Sequence, residues 1–363
     1  MRIAPFIFAF VTAASALTIA QDARPRLRPL NEQSTNSKTG PAIGAHIPAF
    51  EAVDLDGKVR NFANLKGPKG LLLSFSRSAD WCPYCKTQLA DLNTQVEGFR
   101  KKGINVVALT YDSADILKTF AARVGVQYTL LSDPESKVIK AFDILNPNGE
   151  KGTRYEGIPF PGTYVINEKG VITAKYFDDD YRERFSAASI LTREFTSTGV
   201  LKNTVENAQV KLTYSASEST VTPGRRITLI VDVEPKAKMH LYAPGVERYD
   251  PIQWNMPESK AWISFPAVYP KSQMLNLPAI KETVPVYSKG FRVTRDIAIG
   301  LDAETAPVMT ADRMVKVQGS FRYQACDDRE CYLPKNVPLE WNLLVGQLDT
   351  QRVPEAMQRK TAK

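Results

Sequence analysis

The chain has 363 residues, four cysteines, two histidines, 43% hydrophobic residues and a formal net charge of +8. That length exceeds one ordinary domain, so two packed domains are expected, with the apolar share of a globular protein. The basic residues are scattered and broken by acidic runs such as Asp178-Asp179-Asp180. The charge therefore describes a solvated surface and argues against a nucleic-acid partner.

Residues 1–20 read as a secretory signal peptide: Arg2, then an apolar run from Ile3 to Ala20 closing on small residues. No cysteine lies there, which excludes a lipid-attached form; an uncleaved membrane anchor is the alternative. A periplasmic location follows as an expectation. Residues 21–44, rich in Arg, Pro, Asn, Ser and Thr, are expected to form a disordered linker.

From residue 45 to 196 strands alternate with helical patterns. Leu71-Leu72-Leu73-Ser74-Phe75 is a buried strand, and Leu89, Leu92, Val96 and Phe99 recur at helical spacing. Ile104 to Leu109 is a second buried strand, after Gly103 as a helix stop. Ser113 caps a helix through Ile116, Leu117, Phe120 and Val124; Tyr128–Leu131 is a short strand; Asp133-Pro134 opens another helix. Residues 162–166 and 171–176 form a hairpin, and Ser186–Phe195 a closing helix. This order predicts a sheet covered by helices on both faces.

At the first strand–helix junction stands Trp81-Cys82-Pro83-Tyr84-Cys85. Helix N-termini offer free N–H groups and positive potential, which favour thiolate, so the pair is read as a dithiol redox centre. A structural staple over so short a loop removes little unfolded-state entropy. A zinc site lacks its other ligands, since Cys326 and Cys331 are far along the chain and His46 and His240 have no metal spacing. No metal and no organic cofactor is expected.

Residues 43 to about 195 resemble the thioredoxin-fold redoxins of the AhpC/TSA type, through the entry strand and turn, the Trp-Cys-x-x-Cys junction and Pro161 before Thr163-Tyr164-Val165-Ile166. The resemblance implies a cis-proline facing the dithiol, with Pro161 the candidate and Pro159 its rival. It also exposes two departures. A peroxiredoxin would have Pro and Thr where Phe75 and Ala79 stand, and thioredoxin a buried carboxylate where Ser76 stands. Asp80 reads as a surface residue. Arg77 is a candidate for lowering the thiol pKa, against the plainer reading of an exposed arginine.

After a short linker, Thr196–Asn203, the pattern changes. Residues 205–345 alternate with period two and carry no helical stripe, which predicts an all-β sandwich, and 346–363 read as a polar tail. Tyr323-Gln324-Ala325-Cys326, followed by Cys331-Tyr332-Leu333-Pro334, resembles the redox loop of the immunoglobulin-like N-terminal domain of the DsbD thiol:disulfide interchange family. That family shields its cysteines with an aromatic cap; the local match, Val286-Tyr287-Ser288-Lys289, has valine at the cap position. A purely structural Cys326–Cys331 disulfide remains the alternative.

The expected protein is thus an α/β thioredoxin-like domain followed by an all-β immunoglobulin-like domain, a thiol–disulfide oxidoreductase using Cys82, Cys85, Cys326 and Cys331. Cys82, read as the more exposed, attacks, and Cys85 resolves. Protein thiols are the expected clients, a DsbD/CcdA-type membrane carrier the expected donor, and exchange between the two pairs a further expectation. Two alternatives stand beside it: a peroxiredoxin-like thiol peroxidase, and a copper-binding or partner-docking module using the C-x-x-C with Met239 and His240.

Overall fold

The computed structural model describes residues 39–359, apart from 179, 247 and 278–281. The expected signal peptide and most of the expected linker lie outside the described residues. Residues 39–44, expected as the end of that linker, pack onto the first domain: Tyr164 donates to the Thr39 carbonyl (2.6 Å) and Gly44 N–H to the Ile172 carbonyl (2.8 Å).

The first domain runs β1 (Ala52–Asp54), β2 (Val59–Arg60), α1 (Phe62–Leu65), β3 (Gly70–Phe75), α2 (Pro83–Lys101), β4 (Ile104–Thr110) and α3 (Ala114–Val124). It continues with β5 (Thr129–Ser132), α4 (Lys137–Ala141), β6 (Gly162–Asn167), β7 (Ile172–Phe177), β8 (Arg184–Phe185) and α5 (Ala187–Phe195). The strands lie in the orders β2-β1-β5-β4 and β3-β6-β7, and the two rows meet where Ser76 N–H donates to Leu109 O (3.0 Å). β4 and β5 are parallel; β6 is antiparallel to β3 and β7.

Period-two alternation feeds two cores. Leu71, Leu73, Phe75, Val107 and Leu109 meet Ile139 and Phe142 around α4 on one face. Leu72, Val106 and Ala108 meet Leu89, Leu92, Phe99, Leu117, Phe120 and Ile190 from α2, α3 and α5 on the other. The sequence placed a helix start at Asp133-Pro134, but α4 begins at Lys137. The Asp133 carboxylate reaches forward to accept from Lys137 N–H (2.8 Å) and Ile139 N–H (3.0 Å), so it caps a helix it does not adjoin.

The second domain comprises β9 (Val200–Glu206), β10 (Val210–Ala216), β11 (Thr220–Val221), β12 (Arg225–Pro235), β13 (His240–Tyr242), β14 (Gln253–Asn255) and β15 (Trp262–Ser264). β16 (Gln273–Leu277), β17 (Glu282–Tyr287), β18 (Phe291–Ile299), β19 (Met314–Tyr323), β20 (Ala325–Cys326) and β21 (Lys335–Val345) follow, with a short helix, α6 (Asp302–Thr305), between β18 and β19. They form sheets ordered β15-β18-β12-β10-β9, β11-β21-β19-β14 and β16-β17-β13-β20. The first two share one core, in which Ile227, Leu229, Val231 and Val293 meet Val315, Val317, Leu339 and Trp341. The second half of the expected linker is strand: β9 opens at Val200 and pairs with β10.

The two domains are joined along β12. Its odd residues from Ile227 to Val233 enter the core just described, while Arg226, Thr228 and Ile230 are also buried, on the face toward the first domain. β8 pairs in parallel with the start of β12 (Arg184↔Arg225, Phe185↔Arg226). Arg225 meets Asp91 of α2 at 2.5 Å, both side chains less than a tenth exposed. Arg226 lies between the rings of Phe185 (4.2 Å) and Phe265 (3.7 Å) and pairs with Asp178 (3.1 Å) and Asp296 (3.3 Å). Arg193 of α5 reaches the same Asp296 at 2.9 Å.

Candidate redox site

β3, buried at every position, ends one loop short of α2, and that loop carries Cys82 to the helix N-cap with Pro83 in the first turn. Cys82 Sγ accepts from Cys85 N–H at 3.3 Å, and the two cysteines form a disulfide with Cα atoms 5.2 Å apart. On reduction, a Cys82 thiolate inherits that N–H donor and the positive end of a 19-residue helix. The expected exposure of Cys82 is corrected. Cys82 is 1% and Cys85 0% accessible.

The loop before Cys82 hangs on Asp112, at the end of β4. This carboxylate, 2% exposed, accepts from Ala79 N–H (2.6 Å), Ser78 Oγ (2.9 Å) and Thr110 Oγ1 (2.9 Å). Burial pushes it up to about 6, against the pull of those donors. A buried acid is therefore present near the dithiol, supplied by a neighbouring strand rather than by the position of Ser76. Nothing in the local spacing around Cys82 could have signalled it.

Three further expectations are corrected. Asp80 is not a surface residue; it is 1% exposed and held by both Arg352 Nε (2.8 Å) and Nη2 (2.6 Å). Arg77 is not exposed either. It is 9% accessible, with its guanidinium over Trp81 (4.8 Å) and Tyr181 (4.2 Å), and burial lowers its pKa while Tyr181 opposes the shift. Pro161 is not cis, nor is Pro159, since the described residues contain no cis peptide bond. The approach to β6 pairs with the chain after α4: Phe160 N–H donates to Ile144 O (2.7 Å) and Asn146 N–H to Ile158 O (2.9 Å).

Trp81 is fixed by its indole N–H on Tyr111 Oη (2.7 Å) and by the edge of Tyr155 (5.0 Å). Tyr84, inside the C-x-x-C, meets Tyr181 edge-on at 6.1 Å. Tyr181 belongs to the loop between β7 and β8, which also holds Glu183. Burial, with Asp178 and Asp180 nearby, pushes the Glu183 carboxyl up to about 8. A raised folded-state pKa means the fold prefers the neutral acid, so stability falls as pH climbs from the ordinary glutamate value toward 8. Glu183→Gln should therefore be more stable than the parent by on the order of 3 kcal/mol at pH 7, with the gap closing near pH 4. Denaturant titrations of both proteins across that range measure it.

The second pair is differently built. Cys326, in β20, is 1% accessible, whereas Cys331 is exposed. Their disulfide closes a turn already ordered by Asp327, whose carboxylate accepts from Arg329 N–H (2.7 Å) and Glu330 N–H (2.9 Å). The Tyr242 hydroxyl lies 3.6 Å from Cys331 Sγ and stacks its ring on Tyr249. Val286, at the position compared with an aromatic cap, is buried in β17 beside Tyr242 and Cys326, and leaves Cys331 open. His240, 5% exposed, pairs with Cys326 across β13 and β20, and burial lowers its pKa.

The first pair abuts one end of the second domain, and the second pair lies toward its other end. Gly224, just before β12, adopts φ +76 and approaches Tyr84 so closely that an added Cβ would come 3.4 Å from its ring. Eleven residues later β12 ends where Lys236 bonds Gln209, beside β13 and Cys326. A strand of that length spans ~33 Å. Direct exchange between the pairs, expected from their fusion, does not fit this arrangement. Nor do Met239 and His240 form one copper site with the C-x-x-C. Among the described residues no three His, Cys, Asp or Glu side chains gather as a metal site.

Residues 43–175 match the AhpC/TSA family profile. The chain is 28% identical over 143 residues to the thiol-disulfide oxidoreductase ResA of Bacillus anthracis, covering 39% of this chain and 73% of that protein. It is 32% identical over 133 residues to the chloroplastic peroxiredoxin Q of Triticum aestivum, covering 37% and 58%. Among solved structures, the peroxidoxin BcpB of Mycobacterium tuberculosis aligns at 20% identity with a TM-score of 0.34, covering 39% of this chain and 88% of that one.

Proposed function

We propose that this protein is a thiol–disulfide oxidoreductase whose working centre is Cys82–Cys85. The observation that carries the reading is Cys82 as N-cap of α2, its sulfur on the Cys85 N–H and its partner cysteine one turn in. An AhpC/TSA-type domain similar to ResA supports it. A substrate thiolate joins one cysteine, the other leaves as thiolate, and a second thiol resolves the mixed disulfide, so no cofactor is required. Protein dithiols are the clients. Cys326–Cys331, with Cys331 exposed, serves as a second exchange point facing its own partner. In an exported protein that partner would be a membrane donor of the DsbD/CcdA kind, in keeping with the DsbD-like Tyr-Gln-x-Cys loop on an immunoglobulin-like sandwich.

The similarity to a peroxiredoxin favours a second reading as thiol peroxidase. Ala79 and Phe75 speak against it, because the hydroxyl that would hold the peroxide is missing. Rapid mixing of the reduced protein with hydrogen peroxide, and separately with an oxidised protein disulfide, decides between them. Disulfide exchange should be fast and peroxide oxidation close to that of an ordinary thiolate; peroxide oxidation faster by orders of magnitude would reverse the assignment.

A further inference from the structure

Two charged side chains flank the C-x-x-C and are buried: Asp80, before Cys82, and Lys86, after Cys85, which is 0% exposed. An unpaired charge in such a place is strongly destabilising, so each needs a partner. Among the described residues those partners come from the C-terminal segment, read from sequence as a tail. Lys86 Nζ donates to the Gln351 carbonyl and lies 3.7 Å from Asp349, while burial pulls its pKa down. Asp80 takes the Arg352 guanidinium with both oxygens, and one of them also accepts Val353 N–H at 3.0 Å. Asp349 is tied in turn to Arg123 of α3 (2.6 Å) and, through its N–H, to Thr87 (3.1 Å).

Three consecutive residues are thus read as an extended peptide is read: a backbone carbonyl at 351, a guanidinium at 352 and a backbone N–H at 353. The groove uses the chemistry of any segment with arginine at its centre, not features peculiar to this one. Resting on the dithiol-exchange reading, we propose that residues 351–353 are a self-bound stand-in for a client. The groove beside Cys82–Cys85 docks an extended, arginine-bearing segment of a protein dithiol, and the C-terminal segment leaves to admit it. With the segment in this position Cys82 and Cys85 are 1% and 0% accessible, and its contacts fall on the residues immediately before and after them. Its central ion pair is made by an arginine that is itself partly exposed, 35% accessible. Once the groove is open, the client thiolate attacks Cys82 Sγ and forms the intermolecular disulfide. The Cys82–Cys85 bond breaks, and Cys85 takes its electron pair as a thiolate that solvent protonates. The client's second thiol, after losing its proton to solvent, then displaces Cys82. The client ends oxidised and the pair reduced by two electrons.

If the seated segment leaves only a small open fraction, the observed rate is reduced by that fraction. The test uses the oxidised full-length protein, Arg352→Ala, and a chain ending at Leu348. Reduction of Cys82–Cys85 is followed by alkylation quench and peptide mass measurement. Reduced thioredoxin is the protein dithiol and dithiothreitol the small one. Reduction by thioredoxin should rise about tenfold or more in both variants. A synthetic peptide of residues 347–359 should slow the shortened chain again, and the same peptide with alanine for arginine should not. Rates within threefold of the parent in the variants that fold, or a peptide without effect, overturn the proposal. Should the shortened chain not fold, Arg352→Ala and the free peptide added to it decide alone. Dithiothreitol separates the two levels of the argument. If it reduces the pair while thioredoxin rates ignore the segment, docking fails and dithiol exchange stands; if neither reagent reduces the pair, dithiol exchange itself is overturned, and docking with it.

Discussion

Cys82→Ser should lower the rate of protein dithiol–disulfide exchange at this centre by about a thousandfold or more, while leaving the fold intact. Cys85→Ser should behave differently. It retains the sulfur at the helix N-cap, so the first step proceeds and mixed disulfides accumulate because nothing resolves them. The asymmetry follows from position: Cys82 holds the N-cap and the Cys85 N–H, whereas Cys85 lies inside the first turn and makes no such contact as an acceptor. Non-reducing electrophoresis after incubation with an oxidised client, with Cys326 and Cys331 both replaced by serine, reads the two variants side by side. Equal trapping by both would show that the first turn does not select between the sulfurs.

The second large effect is structural. Arg225→Ala should cost about 3–5 kcal/mol, because it removes the cation from a buried pair and leaves Asp91 facing the second domain uncompensated. Asp91 would keep only the Ala187 N–H at 2.7 Å. The loss falls on the joint between the domains and not on either core. Calorimetry should therefore show the single cooperative transition of the parent separating into two. A replacement such as Arg225→Lys keeps the charge but not the planar fork, and should recover only part of the loss.

Much of the first domain can be read locally. The apolar run at Leu71–Phe75, the helical spacing from Leu89 to Phe99, and Gly103 after α2 each act within a few residues, and so they are visible in the sequence. The period-two segments ending in Tyr323 are legible for the same reason. What escaped is contact over long separations. Asp80 is adjacent to a tryptophan that looks exposed, and its true partner, Arg352, is 272 residues away. Asp112 carries the loop of Cys82 only because β4 lies beside β3. Arg77 reads as a soluble cation until the ring of Tyr181, about a hundred residues on, is laid against it opposite the nearby Trp81. Pro161 failed for another reason: the resemblance supplied a conformation that this chain does not adopt, its bond to Phe160 being trans.

The pairing of β8 with β12 bears on how the molecule can be handled. A cut at the residue where α5 gives way to β9 looks natural on a domain diagram, yet the sheet does not respect it. Two residues of the first domain form a ribbon inside the lattice of the second. An excised first half would carry that ribbon unpaired, along with α5 stripped of its cover, and so present a sticky edge to its own copies. Purified halves would then report on aggregation and on altered potentials alike. Point changes in the whole chain, not dissection, are the clean way to assign work to each pair of sulfurs.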